Sequence, residues 1–365
     1  MPRCYFHSDD NHNQMSSSSR VLLCFASAIL ITGGVLSWGM NGAQEPVPPP
    51  PQDQTADQNS TIRVNVELVN ILFTVRAKKG GQLIPNLEKN NFNVYEDGKQ
   101  QTIQRFSRET DLPLTLGLLI DISASQERLI DIERQAASSF FSSVIRKKDE
   151  AFLISFGKST DLLQDYSSSP KQLSAGLEDL RGDGQTPMSG GPIPNTGPVP
   201  TMGSPKGTLL FDAVYLAANE KLKSEVGRKA LILITDGEDQ GSTYNRKTAI
   251  EAAQKSDAII YSIYYVDRGF YSQGGFMIGG GGGEGDLRKM SEETGGHVFT
   301  VSSKHPLSQI FKDIQEELRN QYSIGYESVN SKRDGTFRKI EIKADNSDYR
   351  VQARNGYYAT PAGAQ

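Results

Sequence analysis

Between residues 114 and 320 the chain alternates short apolar runs with longer segments whose apolar residues recur every three or four positions. The spacing predicts strands over 114–120, 150–156, 229–235, 258–264 and 297–301, with helices over 127–145, 170–180, 209–224, 246–255, 285–293 and 306–320 between them. Runs such as Ala230-Leu-Ile-Leu-Ile234 are apolar at every position rather than every second one. That is the pattern of a parallel strand covered on both faces. Strands alternating with helices in this way predict an α/β fold with a doubly wound, mostly parallel sheet.

On either side the texture is that of β-structure. Ile62, Val64, Val66 and Leu68 alternate, and 71–75 is rich in branched residues. Short strands follow at 92–95 and 103–106, with Glu96-Asp97-Gly98 as a turn. After residue 320 come strands over 322–326, 337–344 and 349–353, with Arg333-Asp-Gly335 as a hairpin signal. Each set is too small to stand alone. They are therefore expected to pair into one β-sandwich-like domain, with the α/β domain inserted between them and its ends close together. The expected division is 61–112 and 321–360 for the β domain, 113–320 for the insert and 361–365 for a tail.

The first sixty residues lack such periodicity. Arg20 precedes an apolar stretch over 21–40, and small residues follow to Ala43, so 1–43 is expected to be a signal peptide or signal anchor. Asp9 and Asp10 suit such a leader poorly, whereas Met15-Ser-Ser-Ser-Ser-Arg20 suits it well, which points to translation starting at Met15. Residues 44–60, with Pro-Val-Pro-Pro-Pro-Pro, form a Pro/Gln-rich linker that cannot bury a core. The expectation is an exported protein: periplasmic, in the cell envelope or secreted, and touching a membrane only through that N-terminal segment.

Composition narrows the chemistry. A net charge of −4 with interspersed signs gives no basic stripe, which argues against nucleic acid as a partner. Cys4 and Cys24 both precede the folded region, and His7, His12, His297 and His305 are scattered. A thiolate cluster is thereby excluded from the folded region and the scatter argues against an imidazole cluster, so oxygen is the expected metal donor. Two Gly-rich loops, over 182–207 and 274–285, lack the Gly-Lys-Ser/Thr ending of a phosphate-binding loop. No Ser-His-Asp order or paired-carboxylate pattern stands out, so no enzymatic activity is expected.

The densest oxygen chemistry is Asp121-Ile-Ser-Ala-Ser125, where a buried strand ends on one carboxylate and two hydroxyls. Hard cations favour such ligands. Two further pieces lie downstream. Gly207-Thr208 places a hydroxyl at a helix start, and Thr235-Asp236-Gly237 ends another buried strand on a carboxylate. Each alone also reads as a helix cap or turn, and Thr186 is a rival to Thr208.

As a set, in this order, these pieces resemble the metal-ion-dependent adhesion site of von Willebrand factor type A domains, over roughly 114–320. The β segments 68–75 and 92–98 and the closing Asn355-Gly-Tyr-Tyr358 resemble an exported bacterial group related to that family. The resemblance implies a divalent cation, magnesium first and manganese or calcium as alternatives. Ser123, Ser125 and Thr208 would be direct ligands, with Asp121 and Asp236 acting through water and the hydroxyls. Gln126 departs from the family, which often has an apolar residue there. Hydroxyl ligands leave the cation's charge incompletely compensated, so a partner protein's Asp or Glu carboxylate can complete the shell. The expected function is adhesion-type protein binding. A cell-envelope scaffold with incidental metal binding is the alternative, and a metal-assisted hydrolase ranks last for want of a base.

Overall fold

The computed structural model describes residues 68–108, 112–182, 207–267 and 282–359, all within one unit of the chain, Arg63–Gln365. The leader, the linker, both cysteines, Thr186 and most of the two Gly-rich loops lie outside the described residues. Among the described residues no helix is long and apolar enough to cross a membrane.

The chain opens with β1 (Leu68–Ala77), β2 (Phe92–Glu96), β3 (Lys99–Gln101) and β4 (Ile103–Arg108). The α/β part then runs β5 (Leu114–Asp121), α1 (Ile130–Val144), β6 (Glu150–Phe156), β7 (Thr160–Ser167) and α2 (Pro170–Leu177). It continues with α3 (Leu210–Leu216), β8 (Arg228–Thr235), α4 (Arg246–Lys255), β9 (Ala258–Tyr264), α5 (Gly282–Thr294), β10 (Val298–Thr300) and α6 (Leu307–Arg319). β11 (Tyr322–Glu327), β12 (Phe337–Ala344), β13 (Tyr349–Ala353) and β14 (Gly356–Tyr358) close it.

Six strands form the central sheet in the order β10-β9-β8-β5-β6-β7, parallel except for β7. β5 and β8 are buried at every position, because both faces are covered. On one face Leu116, Leu118, Ile232 and Ile234 meet Phe140 and Phe141 of α1, Leu173 of α2, and Ile310, Phe311 and Ile314 of α6. On the other, Leu119, Leu231 and Leu233 meet Leu210 and Val214 of α3, Ala249 and Ala253 of α4, and Leu287 and Met290 of α5. Gly117 is required by this packing, since a Cβ there would lie 2.4 Å from Cζ of Phe152. The doubly wound arrangement expected from the apolar runs is therefore present.

The flanking segments pair with each other. β1 lies antiparallel between β13 and β11, with β4 beyond β11, and a second sheet runs β14-β12-β2-β3. Phe73, Phe92, Phe106 and Tyr322 pack ring on ring in the core between the sheets. Buried Glu317 on α6 ties this β part to the α/β part, accepting from Thr74 Oγ1 (3.1 Å) and Arg76 Nη2 (2.8 Å) of β1.

Four local expectations change. β7 does not appear among the expected strands; it is an edge strand whose Asp161, Leu162 and Asp165 face solvent, so it carries no buried run. Helix α1 starts at Ile130 rather than 127, after a run of turns from Ala124. The helix expected over 209–224 is α3 followed by a π-helical turn, Ala217–Leu222. β1 is continuous from Leu68, and the alternation upstream of Leu68 lies outside the described residues.

Candidate metal centre

β5 and β8 are hydrogen-bonded neighbours, with Ile120 opposite Ile234, so their carboxyl ends place Asp121 and Thr235-Asp236 side by side at the crest of the sheet. This is where an open α/β sheet offers its crevice. Asp121 is fully buried and both its oxygens are held: Ser123 N–H donates to Oδ1 (2.9 Å) and Thr235 Oγ1 to Oδ2 (2.5 Å). Thr235 in turn accepts the Gly237 N–H at 2.9 Å, which locks the second turn.

Asp236 joins the two loops. Its Oδ1 accepts the Glu238 N–H (3.2 Å), while its Oδ2 accepts Ser125 Oγ (2.6 Å) and Gln126 Nε2 (3.1 Å). The Ser123 and Ser125 hydroxyls are 3.2 Å apart. With the proton of Ser125 spent on Asp236, Ser123 is the donor of that pair. Four of the five expected ligands thus form one hydrogen-bonded group.

Thr208 arrives by backbone instead. It bridges to Gln240 through Thr208 N to Gln240 O (3.4 Å) and Gln240 N to Thr208 O (2.8 Å). The next residue, Leu209, donates to Gly157 O at 2.9 Å, just beyond Phe156, which pairs with Asp121. The capping alternatives do not hold. The N-caps of α1 and α3 are Leu129 and Leu209, and neither makes a side-chain cap.

Nearby acids are put to other use. Asp212 accepts the N–H groups of Thr243 (3.0 Å) and Tyr244 (2.8 Å), and Asp239 accepts the Phe211 N–H (3.1 Å) and the Ser242 hydroxyl (2.5 Å). Together they pin the loop after Asp236 onto the start of α3. Asp239 thus has a structural role in this loop. Gly237, at φ 80°, faces the backbone of Gly283: a Cβ on Gly237 would lie 2.5 Å from Gly283 O. Gly283, near the end of the second Gly-rich tract, is thus packed closely against the backbone of Asp236 and Gly237.

The electrostatics are those of a site short of positive charge. The Asp121 carboxyl is pushed up to about 7, first by burial and then by the charge of Asp236, against the opposing hydrogen bonds from Ser123 and Thr235. Glu133 of α1, fully buried, is raised well above its ordinary value by burial and then by Asp121. Glu238 is raised by its own burial and then by Asp236.

The donors fit a hard divalent cation. They are two carboxylates and three hydroxyls, with no nitrogen or sulfur. Gln126 Oε1, on the side chain that holds Asp236, is buried with no hydrogen-bond partner among the described residues. Among the described residues no group of three His, Cys, Asp or Glu side chains is placed to hold a metal. Gln126 and Thr235 were not among the expected site residues. The signal for Gln126 was its helical spacing, one turn before the start of α1, from the buried α1 residues Ile130, Glu133 and Ala137.

A family model for the von Willebrand factor type A domain matches residues 200–313, a stretch that contains Thr208 and Asp236 and begins after the Asp121 turn. No curated protein matches the chain by sequence. Similar solved structures include BatB from Bacteroides thetaiotaomicron, 18% identical over 56% of this chain and 97% of that one, with a TM-score of 0.40. An aerotolerance-related membrane protein from Bacteroides fragilis is 16% identical over 56% of this chain and 98% of that one, TM-score 0.39. Proximal thread matrix protein 1 from the mussel byssus, in a form with a zinc-occupied MIDAS motif, is 16% identical over 60% of this chain and 48% of that one, TM-score 0.42. At these TM-scores the likenesses add nothing to the family match.

Proposed function

We propose that this chain, which carries a von Willebrand factor type A domain, binds a partner protein through a divalent cation at Asp121, Ser123, Ser125, Thr208 and Asp236. The single observation behind this reading is the bonded group at the sheet crest. Two buried, mutually repelling carboxylates are held by adjoining residues of one turn, Asp121 by the Ser123 N–H and Asp236 by Ser125 and Gln126, with the Ser123 and Ser125 hydroxyls in contact. In a group of that charge a bound cation would supply the missing positive charge and a coordination position for an outside carboxylate. Magnesium is the first candidate, with manganese or calcium as alternatives.

The chain's own residues do the positioning. Ser123 N–H and Thr235 Oγ1 fix the Asp121 carboxylate, and the Asp236 carboxylate is fixed by Glu238 N–H and the Ser125 hydroxyl. With Asp121 and Asp236 acting through water, the direct ligands would be three neutral hydroxyls, which leave the cation's charge incompletely compensated for a partner's Asp or Glu side chain. The protein is proposed to act outside the cytoplasm, at the cell envelope or secreted, as an adhesion-type binding module rather than an enzyme.

Calorimetric titration with Mg²⁺ and Mn²⁺ tests the site. Asp121→Ala and Asp236→Ala are each expected to weaken cation binding by about a hundredfold or more while the protein stays folded. Unchanged binding in both variants defeats the reading. Capture of envelope proteins with and without EDTA separates it from the scaffold alternative, since a scaffold keeps its partners when the cation is stripped.

A further inference from the structure

We propose that Gln126 is a positioning residue of the cation site, holding Asp236 through its amide N–H and turning its carbonyl oxygen to the cation's hydration shell. This rests on the cation reading above and names a residue that the reading does not include.

Three observations carry it. Gln126 is fully buried, so its carboxamide has lost bulk water at both ends. One end is spent: Nε2 donates to Asp236 Oδ2 at 3.1 Å, the same oxygen that accepts Ser125 Oγ at 2.6 Å. The other end, Oε1, has no partner among the described residues. A buried carbonyl oxygen without a donor is costly, and near a metal site the donors that relieve it are cation-bound waters.

The backbone keeps the side chain in place. Gln126 N–H donates to Ser123 O (2.8 Å), and Gln126 O accepts the Leu129 N–H (2.8 Å). Gln126 is thus fixed within the same turn that carries Ser123 and Ser125, with little freedom left to lose on cation binding. An apolar side chain at this position could fill the space but could neither orient Asp236 nor meet a water.

The test compares wild type with Gln126→Met, a substitution of similar length, by Mn²⁺ calorimetry and by melting in EDTA. The proposal expects Mn²⁺ affinity to fall about tenfold or more, the usual effect of removing a group that orients metal ligands. The EDTA melting temperature should stay within about 4 °C of wild type. Equal Mn²⁺ affinity in the two proteins overturns the proposal and leaves the cation site standing. No Mn²⁺ binding by wild type sinks the cation reading itself, and this inference with it.

Should Gln126→Met not fold, Gln126→Glu carries the test. It keeps Oε1 but replaces the donor to Asp236 with a repelling oxygen. Its melting temperature should fall in EDTA and recover with Mn²⁺ by more than wild type gains. A gain equal to wild type's overturns the proposal.

Discussion

Glu96 and Asp121 invite comparison, because each is the buried last residue of its strand and the two are handled in opposite ways. Glu96, at the end of β2, accepts Tyr326 Oη (2.8 Å), Tyr357 Oη (3.0 Å) and Ser328 Oγ (2.5 Å), and meets the Arg338 guanidinium at 3.4 Å. Arg338 is itself anchored on the backbone carbonyls of Asn330 and Lys332. Glu317 follows the same rule, facing Arg76 at 2.8 Å. The charge that bears on Asp121 is instead a second carboxylate, Asp236. Where the chain uses a buried acid to hold its β part together, it supplies the cation itself. At the crest of the α/β sheet no such internal cation is placed against Asp121 among the described residues, and on the proposed reading it would come from outside.

The sharpest way to break this comparison is to remove the internal cation. Arg338→Met should destabilise the protein by about 3–5 kcal/mol, because Glu96 is left buried without its guanidinium. Asp121→Asn, measured in EDTA, should lose no more than about 1 kcal/mol, since it also relieves the repulsion with Asp236. Urea unfolding of both variants decides the matter. Comparable losses would mean that Asp121 is structural in the same sense as Glu96.

A smaller effect comes from pH. The cation-free Asp121 carboxyl is raised to about 7 from an ordinary 3.8, so between those values the folded protein keeps a proton that the unfolded chain releases. Its contribution to cation-free stability is therefore complete below about pH 4 and disappears as pH rises through 7. Cation binding needs the ionised form, so affinity should climb by up to about tenfold per pH unit to pH 7 and then level off. Melting in EDTA and with Mn²⁺ from pH 5 to 8 checks both slopes. Flat affinity with rising cation-free stability would show Asp121 ionised throughout.

Much of this contrast could be read from the sequence, and the part that could not has a physical cause. The central strands announced themselves because burial on both faces forbids polar positions in Ala230–Ile234, whereas β7, half in water at the sheet edge, carried no such mark. Asp121, Ser123, Ser125 and Asp236 were legible because strand ends fix where their side chains converge. The Arg338–Glu96 pair was not, since its partners stand 242 residues apart in unremarkable β patterns. Gln126 escaped for the same reason, with Asp236 110 residues away. Yet Gln126 stands at helical spacing from the buried α1 residues Ile130, Glu133 and Ala137, and two polar residues in that buried series were the clue available.

Glu133 gives the finest division between the two kinds of buried acid. It lies on α1, fully buried, and neither carboxyl oxygen has a hydrogen-bond partner among the described residues. Burial, and then the charge of Asp121, raise it well above the ordinary value, so it resembles neither Glu96 with its arginine nor a cation ligand. A raised value means that the folded state favours the protonated acid and loses stability as pH rises. Glu133→Gln removes that dependence, so it should stabilise the cation-free protein more at pH 8 than at pH 5. Mn²⁺ affinity should not change under conditions where the folded protein keeps Glu133 protonated, since a neutral acid contributes no charge to the site. An equal shift at both pH values would refute the protonated assignment. A drop in Mn²⁺ affinity would instead place Glu133 among the charges that hold the cation.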